Sequence, residues 1–123
     1  MKKQMVGIML VCICMVGCRT AHIYNVEKQT VPATSKQDVA KAIFAGSAQR
    51  GWTVSEIQDG MMVATLKHRK FLAEVEIPYS DNSYSIHYKN SKHLRYWKRL
   101  KRIHVRYNRW IKNLQNSINT SFK

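Results

Sequence analysis

The chain has 123 residues, of which 21 are Lys or Arg and 7 are Asp or Glu, so its formal charge at pH 7 is +14. A chain of this length builds one domain around one core and is too short for two. The basic balance favours anionic partners such as phosphate groups, lipid head groups or nucleic acid, but it does not select among them.

Residues 1–19 have the three parts of an export signal. Lys2 and Lys3 form a positive start, an apolar run covers residues 5–16, and the small residue Gly17 precedes Cys18. The apolar run is shorter than the roughly 20 residues that a membrane-spanning helix needs. The pattern therefore predicts a cleaved signal peptide over residues 1–17 rather than a spanning anchor.

Residues 15–18, Met-Val-Gly-Cys, resemble the lipobox of bacterial lipoproteins, in which a small residue precedes the modified Cys. The resemblance implies that signal peptidase II cuts before Cys18 and that this residue becomes acylated. Since each buried CH₂ contributes about 0.8 kcal/mol, two or more acyl chains hold a protein stably on a membrane. In this family an Asp after the Cys commonly retains the protein on the inner membrane. Arg19 therefore implies the outer membrane, with the domain facing the periplasm.

No pattern in the chain predicts a metal, a cofactor or a catalytic residue. The three cysteines, at 12, 14 and 18, all lie in the signal or at its end, which leaves no thiol for a disulfide or a metal site. The five histidines lack the spacing of a zinc hydrolase, and no nucleophile elbow or phosphate-binding loop is present. A small hydrolase stays an alternative if His87, His93 or His104 meets a carboxylate in a cleft.

The segment after the signal predicts a tether followed by a helix. Residues 18–34 are interpreted as the lipidated Cys, a tether and one short strand over residues 21–26. Pro32 ends that strand, and Ser35 is positioned to cap a helix over residues 36–50. That helix has Val39, Ala42, Ile43 and Gly46 at helical spacing, and Gly51 suits the left-handed residue that closes it.

The middle of the chain predicts an antiparallel meander with one buried face. Asp59-Gly60 is a hairpin turn that joins strands over residues 52–58 and 61–68, and Arg69-Lys70 makes a second turn. The register predicted across this second turn pairs His68 with Phe71, Leu66 with Ala73, Ala64 with Val75 and Met62 with Ile77. A further strand follows from the alternation of Tyr84, Ile86 and Tyr88.

The last third of the chain predicts an amphipathic helix that ends near Asn119 and begins either near Leu94 or near Arg102. Its apolar stripe is Tyr96, Leu100, Ile103, Tyr107, Trp110, Ile111, Leu114 and Ile118. Its opposite face is cationic, with Arg95, Lys98, Arg99, Arg102, Arg106 and Arg109. Residues 35–123 are thus expected to form an α+β domain: a four- to five-stranded antiparallel sheet with two helices packed on one face.

Two interpretations of the cationic row stay open. In one it is a solvated surface, because the apolar stripe must cover the sheet. In the other it contacts anionic lipid head groups or lipid A phosphates, each Lys or Arg contributing roughly 1 kcal/mol near an anionic surface. Binding of nucleic acid is the less favoured use, since it rests on charge alone and an exported lipoprotein meets little nucleic acid.

Aromatic motifs occur at residues 23–26, 50–52, 84–88 and 107–111, followed by Leu114. Together they resemble small proteobacterial lipoproteins without an assigned activity, over most of residues 22–118. The resemblance implies a shared fold and no known chemistry. We expect a membrane-anchored, non-catalytic binding or structural module, with an accessory or regulatory subunit that docks on an acidic envelope protein as the alternative.

The aromatic residues of these motifs are predicted to lie in the core. Tyr24, Trp52, Tyr107 and Trp110 are the four concerned, and each has one polar atom that needs a partner there.

Overall fold

The computed structural model describes residues 19–122, which form two antiparallel sheets and two helices. In chain order the elements are β1 (Thr20–His22), β2 (Val26–Thr30), α1 (Lys36–Gln49), β3 (Thr53–Gln58), β4 (Met61–His68), β5 (Phe71–Pro78), β6 (Ser83–Lys92), β7 (Arg102–His104) and α2 (Val105–Thr120). The predicted signal peptide, residues 1–17, and the predicted lipid-attachment residue Cys18 lie outside the described residues.

The main sheet has five strands in the order β2-β6-β5-β4-β3, and every neighbouring pair is antiparallel. The short strands β1 and β7 form a second, two-stranded antiparallel sheet. The predicted α+β class, with an antiparallel sheet of four to five strands and two helices, is confirmed. The two-stranded sheet was not predicted.

Two hairpins of the main sheet, β3-β4 and β4-β5, form where the sequence places them. Gly60 adopts φ 81°, a conformation that Gly reaches without strain, and closes the turn between β3 and β4. The register predicted across Arg69-Lys70 is confirmed. The four predicted pairs are present: His68 with Phe71, Leu66 with Ala73, Ala64 with Val75 and Met62 with Ile77. Because side chains alternate along a strand, the apolar members of these pairs share one face.

Both helices cover that apolar face. Helix α1 contributes Val39 and Ile43 to the core, while α2 contributes Tyr107, Ile111, Leu114 and Ile118. From the sheet, the same cluster includes Met62, Ala64, Ala73, Val75, Ile77, Tyr84 and Ile86. One continuous core therefore joins the helices to the sheet, as the sequence pattern predicts.

The helices touch each other most closely at Gly46 of α1. A Cβ atom built at this position would lie 2.5 Å from the backbone nitrogen of Ile118 in α2, far inside van der Waals contact. The sequence pattern placed Gly46 on the buried face of α1. The structure adds that a larger residue would clash there with the backbone of α2. The N-terminus of α1 is capped as predicted, because Ser35 Oγ accepts the backbone N–H of Asp38 at 3.1 Å.

The segment predicted as a tether is instead part of the folded domain. In place of one strand over residues 21–26 there are two, β1 and β2, and each pairs with a different sheet. Val26 and Val31 are buried in the core. The prediction was wrong because β1 has no apolar alternation of its own. Its stability comes from pairing with a strand 80 to 84 residues away in sequence.

The start of the C-terminal helix also differs from the prediction. Helix α2 begins at Val105, because residues 102–104 are extended and pair with β1, and His104 has an extended backbone with φ −55° and ψ 137°. Tyr96 and Leu100 are consequently exposed rather than part of a buried helical stripe. The remaining stripe residues are buried as predicted, except that Trp110 is only partly covered.

Candidate functional site

The two-stranded sheet of β1 and β7 fixes the start of the described chain to the start of α2. The carbonyl of Arg19 accepts the backbone N–H of Val105 at 3.0 Å. Three residues further along α2, the side chain of Asn108 bonds to the end of β1 and to the segment that follows it. Its Oδ1 accepts the backbone N–H of Tyr24 at 2.9 Å, and its Nδ2 donates to the carbonyl of His22 at 2.8 Å. The backbone is thus part of the fold from the residue directly after Cys18.

Arg102 has a structural role in this sheet. Its Nη2 donates to the carbonyl of Thr20 at 2.6 Å, and its Nε donates to the Oγ1 of the same residue at 3.3 Å. The sequence predicted Arg102 in a cationic row that faces outward. The structure corrects this: the guanidinium is half-buried and holds β1 against β7, since a planar fork of donors suits two oxygens of one residue.

The charges of four arginines act on His104, the residue that caps α2. His104 precedes this helix, and its Nδ1 accepts the backbone N–H of Arg106 at 3.0 Å. Burial lowers the pKa of His104 below its ordinary value, and the charges of Arg106, Arg95, Arg19 and Arg109 lower it further. These four residues, here called the arginine cluster, come from three parts of the chain and create a local positive field.

Next to the arginine cluster is a short cationic hairpin over residues 97–102, here called the basic hairpin. The Trp97 N–H donates to the Arg102 carbonyl at 2.8 Å, and the Arg102 N–H donates back to the Trp97 carbonyl at 3.2 Å. A turn closes the tip, where the Lys101 N–H donates to the Lys98 carbonyl at 3.3 Å. The turn is also bonded to the residue that follows β1, because the Ile23 N–H donates to the Lys101 carbonyl at 2.9 Å.

The basic hairpin exposes apolar side chains together with its charges. Trp97 is 59% exposed and Leu100 is 46% exposed, while Lys98, Arg99 and Lys101 are exposed around them. Trp97 is more exposed than any other large apolar residue of the described chain. Single exposed apolar residues are ordinary on protein surfaces, but an exposed Trp and Leu on one short hairpin form a local patch.

Buried contacts hold the segment before the hairpin in place. Leu94 is fully buried, and its carbonyl accepts the backbone N–H of His104 at 2.8 Å. The ring of Tyr96 stacks on that of Tyr88 with centroids 4.2 Å apart. Three residues of this region, His93, Arg95 and Lys101, have φ values of 63°, 55° and 52°. These values lie in the left-handed region, which residues other than Gly and Asn rarely adopt. Such conformations persist only where the surrounding contacts determine them.

The six cationic residues predicted on one helix face are thus distributed over three elements. Only Arg106 and Arg109 lie on α2. Arg95, Lys98 and Arg99 lie before or within the basic hairpin, and Arg102 is in β7. The six residues still share one end of the molecule, although the guanidinium of Arg102 is bonded to Thr20. Arg106 and Arg109 form the arginine cluster together with Arg95, and the basic hairpin begins two residues after Arg95.

No acidic side chain from the same part of the sequence neutralises these cations. The chain has no Asp or Glu after Asp81. The two ion pairs within the described residues, Lys36 with Asp59 and His87 with Glu27, lie in other elements. A groove of about 540 Å³ runs along the base of the hairpin and has Lys89, Arg95 and Lys98 on its walls. This end of the molecule therefore presents a strongly positive surface.

The histidines weighed as catalytic candidates are spread over separate places. His87 Nε2 contacts Glu27 Oε1 on the side of the sheet away from the helices, with the Glu27 side chain 70% exposed. His93 lies in the wall of the 540 Å³ groove, which contains no carboxylate, and His104 faces the arginine cluster. Within residues 19–122, no group of three His, Cys, Asp or Glu side chains is positioned to hold a metal ion.

A second small cavity lies between the edge of the sheet and α2. It has a volume of about 170 Å³ and is lined by Arg50, Trp52, Leu66, His68, Trp110 and Asn113. The ring of Trp110 meets those of His68 and Phe71 edge-on. Arg50 Nε donates to Ser117 Oγ at 2.6 Å, which ties the end of α1 to α2. We interpret this cavity as a gap in aromatic packing.

Neither helix of residues 19–122 has the length and hydropathy of a membrane-spanning segment. Comparison of the chain with protein-family models, curated proteins and solved structures finds no match.

Proposed function

We propose that the protein is a lipid-anchored, non-catalytic module of the bacterial cell envelope, whose cationic end rests on anionic lipid head groups. In this proposal Cys18 bears the acyl chains after residues 1–17 are removed, and the domain faces the periplasm from the outer membrane. The supporting observation is that the backbone of Arg19 already belongs to the fold, through its hydrogen bond with Val105. The anchor would therefore join the domain at the arginine cluster without an intervening tether.

The charges favour contact with a bilayer in this arrangement. Lys and Arg residues near an anionic surface contribute about 1 kcal/mol each, and this contribution falls off within a Debye length, about 8 Å at physiological ionic strength. A domain joined at its cationic end holds the arginine cluster within that range. Phosphates of the glycerophospholipids in the periplasm-facing leaflet supply the complementary charge.

The anchor is tested by mass spectrometry of the protein purified from bacterial cells that produce the full chain. We expect a mature chain that begins at Cys18 and has the added mass of acyl groups. The Cys18→Ser variant should keep residues 1–17 and lack that added mass. An unmodified wild-type chain with residues 1–17 attached would refute the anchor.

The head-group contact is tested on the acylated protein in vesicles, by residue-resolved labelling of lysine amines. In vesicles with phosphatidylglycerol, Lys98 and Lys101 should be labelled about fivefold more slowly than in phosphatidylcholine vesicles, which corresponds to about 1 kcal/mol for a cation at an anionic surface. Lys41 is the internal reference, because it lies beside Ser121 at the far end of α2, a helix about 24 Å long. High salt should abolish the difference.

Two charge-reversed variants separate a specific surface from net charge. Arg95→Glu with Arg109→Glu removes two exposed members of the arginine cluster and should abolish the protection of Lys98 and Lys101. Lys41→Glu with Lys67→Glu changes the net charge equally at exposed positions elsewhere and should leave the protection intact. Equal labelling in both kinds of vesicle would refute the contact. Protection that occurs only in native membranes would favour an acidic envelope protein as the partner.

A further inference from the structure

We infer that the basic hairpin inserts Trp97 and Leu100 into the interfacial region of an anionic bilayer, where it acts as a second membrane contact beside the acyl anchor. This inference rests on the proposed function. It adds that two apolar side chains enter the bilayer at the place where the surface charges contact the head groups. The occupant of the hairpin surface is a lipid bilayer with anionic head groups.

The first support is the chemistry of the hairpin tip. Trp97 and Leu100 are exposed, and Lys98, Arg99 and Lys101 are exposed on the same short hairpin. Trp is favoured at membrane interfaces, because its ring is apolar while its N–H stays hydrated. Cations around such a ring reach the phosphates while the apolar side chains enter the boundary between head groups and acyl chains. The combination of residues suits an anionic interface better than water.

The second support is the rigidity of the presentation. The hairpin is closed by reciprocal backbone hydrogen bonds between Trp97 and Arg102, and Leu94 anchors its base in the core. The left-handed backbone at Arg95 and at Lys101 shows that the fold determines this geometry against local preference. The apolar tip is therefore held in one place, so its insertion does not require ordering of a flexible loop.

The third support is the position of the hairpin relative to the proposed anchor. Strand β1 runs from Thr20, which pairs with His104, to His22, which pairs with Arg102 at the hairpin base. With about 3.3 Å per residue, the three residues of β1 span roughly 10 Å. The acyl chains on Cys18 and the hairpin tip would thus contact the bilayer at two separate points. Two points of contact restrict the orientation of the domain on the membrane, whereas a single anchor leaves it free to rotate.

The test uses the acylated protein in phosphatidylglycerol-containing vesicles whose acyl chains are brominated near the head group, since bromine quenches tryptophan emission on contact. Wild-type emission should be quenched. Trp97→Phe should lose most of this quenching, whereas Trp110→Phe should retain it, because Trp110 packs among His68 and Phe71. Unchanged quenching in Trp97→Phe would overturn the insertion.

A matched pair of acidic substitutions isolates the hairpin from general effects. Leu100→Glu should abolish the quenching of Trp97. Ile57→Glu alters charge and apolar surface in the same way on the edge strand β3, where Ile57 is 55% exposed, and should leave the quenching unchanged. Equal behaviour of the two variants would refute a specific role of the hairpin tip. Circular dichroism of both variants verifies that they are folded.

The lysine labelling distinguishes failure of this inference from failure of the proposed function. If Lys98 and Lys101 are protected by anionic vesicles but Trp97 is not quenched, the head-group contact holds and the insertion is refuted. If protection and quenching are both absent, the proposed contact fails and the insertion fails with it. Protection seen only in native membranes would instead assign the hairpin to a protein partner and overturn the lipid assignment.

Discussion

Leu114 and Leu100 are the same residue type in the same third of the chain, yet the structure uses them in opposite ways. Leu114 is fully buried between α2 and the sheet, while Leu100 is 46% exposed at the tip of the basic hairpin. The first lies in a region where helical periodicity and a long apolar face agree. The second lies where backbone hydrogen bonds and distant strand pairing determine the conformation.

The difference separates a region built for stability from one that contributes little to it. Around Leu114 the two helices and the sheet form one core, and at Gly46 the two helices approach too closely to leave room for a Cβ atom. At the other end, cations and exposed apolar side chains share a short hairpin with a left-handed residue. Substitutions should therefore affect the free energy of unfolding strongly in the first region and weakly in the second.

The largest expected effect is at Leu114. Leu114→Ala should lower the free energy of unfolding by about 2–5 kcal/mol, because it leaves a cavity in a packed core. Leu100→Ala is the matched control and should change it by less than about 0.5 kcal/mol, as exposed substitutions do. Urea unfolding followed by circular dichroism measures both. Similar losses for the two variants would show that the hairpin belongs to the core.

Gly46→Ala should have the next largest effect. An added Cβ would meet the backbone of α2 at 2.5 Å, so the helices must separate, at a cost of about 1–3 kcal/mol. At an open helical position the same change would stabilise the protein by roughly 0.5–1 kcal/mol, because Ala is the better helix former. The sign of the change in the urea midpoint therefore decides whether the helices touch at Gly46.

Two buried tyrosines provide a smaller, paired prediction. The Tyr84 hydroxyl donates to Asn119 Oδ1 at 2.7 Å and lies 3.2 Å from the Gln115 carbonyl, whereas the Tyr107 hydroxyl is buried with no partner in the described structure. Burial raises the pKa of both phenols. Tyr84→Phe should lower the free energy of unfolding by about 1 kcal/mol, and Tyr107→Phe should leave it unchanged or raise it slightly. The opposite ranking would contradict this hydrogen-bond assignment.

The smallest expected effect is a pH dependence from His104. Its folded-state pKa is lowered by burial and by the arginine cluster, so the unfolded chain binds this proton at a higher pH than the folded chain does. The free energy of unfolding should therefore fall as the pH drops below about 6.5, and the loss should stop below the folded-state pKa. His104→Asn, which can still cap a helix, should lack this component.

An NMR titration of His104 links this prediction to the cationic end of the molecule. Added salt should raise the pKa of His104, since it screens the arginine charges. Absence of any salt effect would refute the cluster as a cause of the shift.

The main sheet and both helices were predictable because local signals agree with the tertiary contacts. Asp59-Gly60 is a turn that demands a left-handed Gly, and the apolar pairs such as Ala64 with Val75 specify one register. Ser35 and Gly51 mark the two ends of α1 in the same way. Each of these features depends on only a few neighbouring residues, so the local sequence is sufficient to predict it.

The candidate site was predictable in its residue types but not in its geometry. The segment over residues 93–101 has no Gly, Pro, Asn or Asp to signal a turn, and its apolar residues happen to repeat at helical spacing. The structure turns at Lys101, with φ 52°, because β7 must pair with β1. The turn at Lys101 therefore depends on contacts between residues far apart in sequence, which local patterns do not reveal. For the same reason the bond from Arg102 to Thr20 was not predictable.

The hydroxyl of Tyr107 also departs from expectation. The aromatic motifs predicted core residues, each with a partner for its polar atom. Tyr24 fits, as its hydroxyl donates to Gln115 Oε1 at 2.7 Å. Tyr107 does not: its ring packs edge-on against Tyr88, and its buried hydroxyl has no hydrogen-bond partner within the described residues.

The pairing of β1 with β7 has a consequence for the order in which the molecule assembles. Contacts between residues so distant in sequence require closure of a long loop, which slows their formation relative to the local hairpins. On a chain that emerges amino terminus first, Thr20 can pair with His104 only after most of the chain has emerged. The main sheet and α1 can form before β1 pairs with β7. The end of the domain nearest Cys18 is then the last to become ordered.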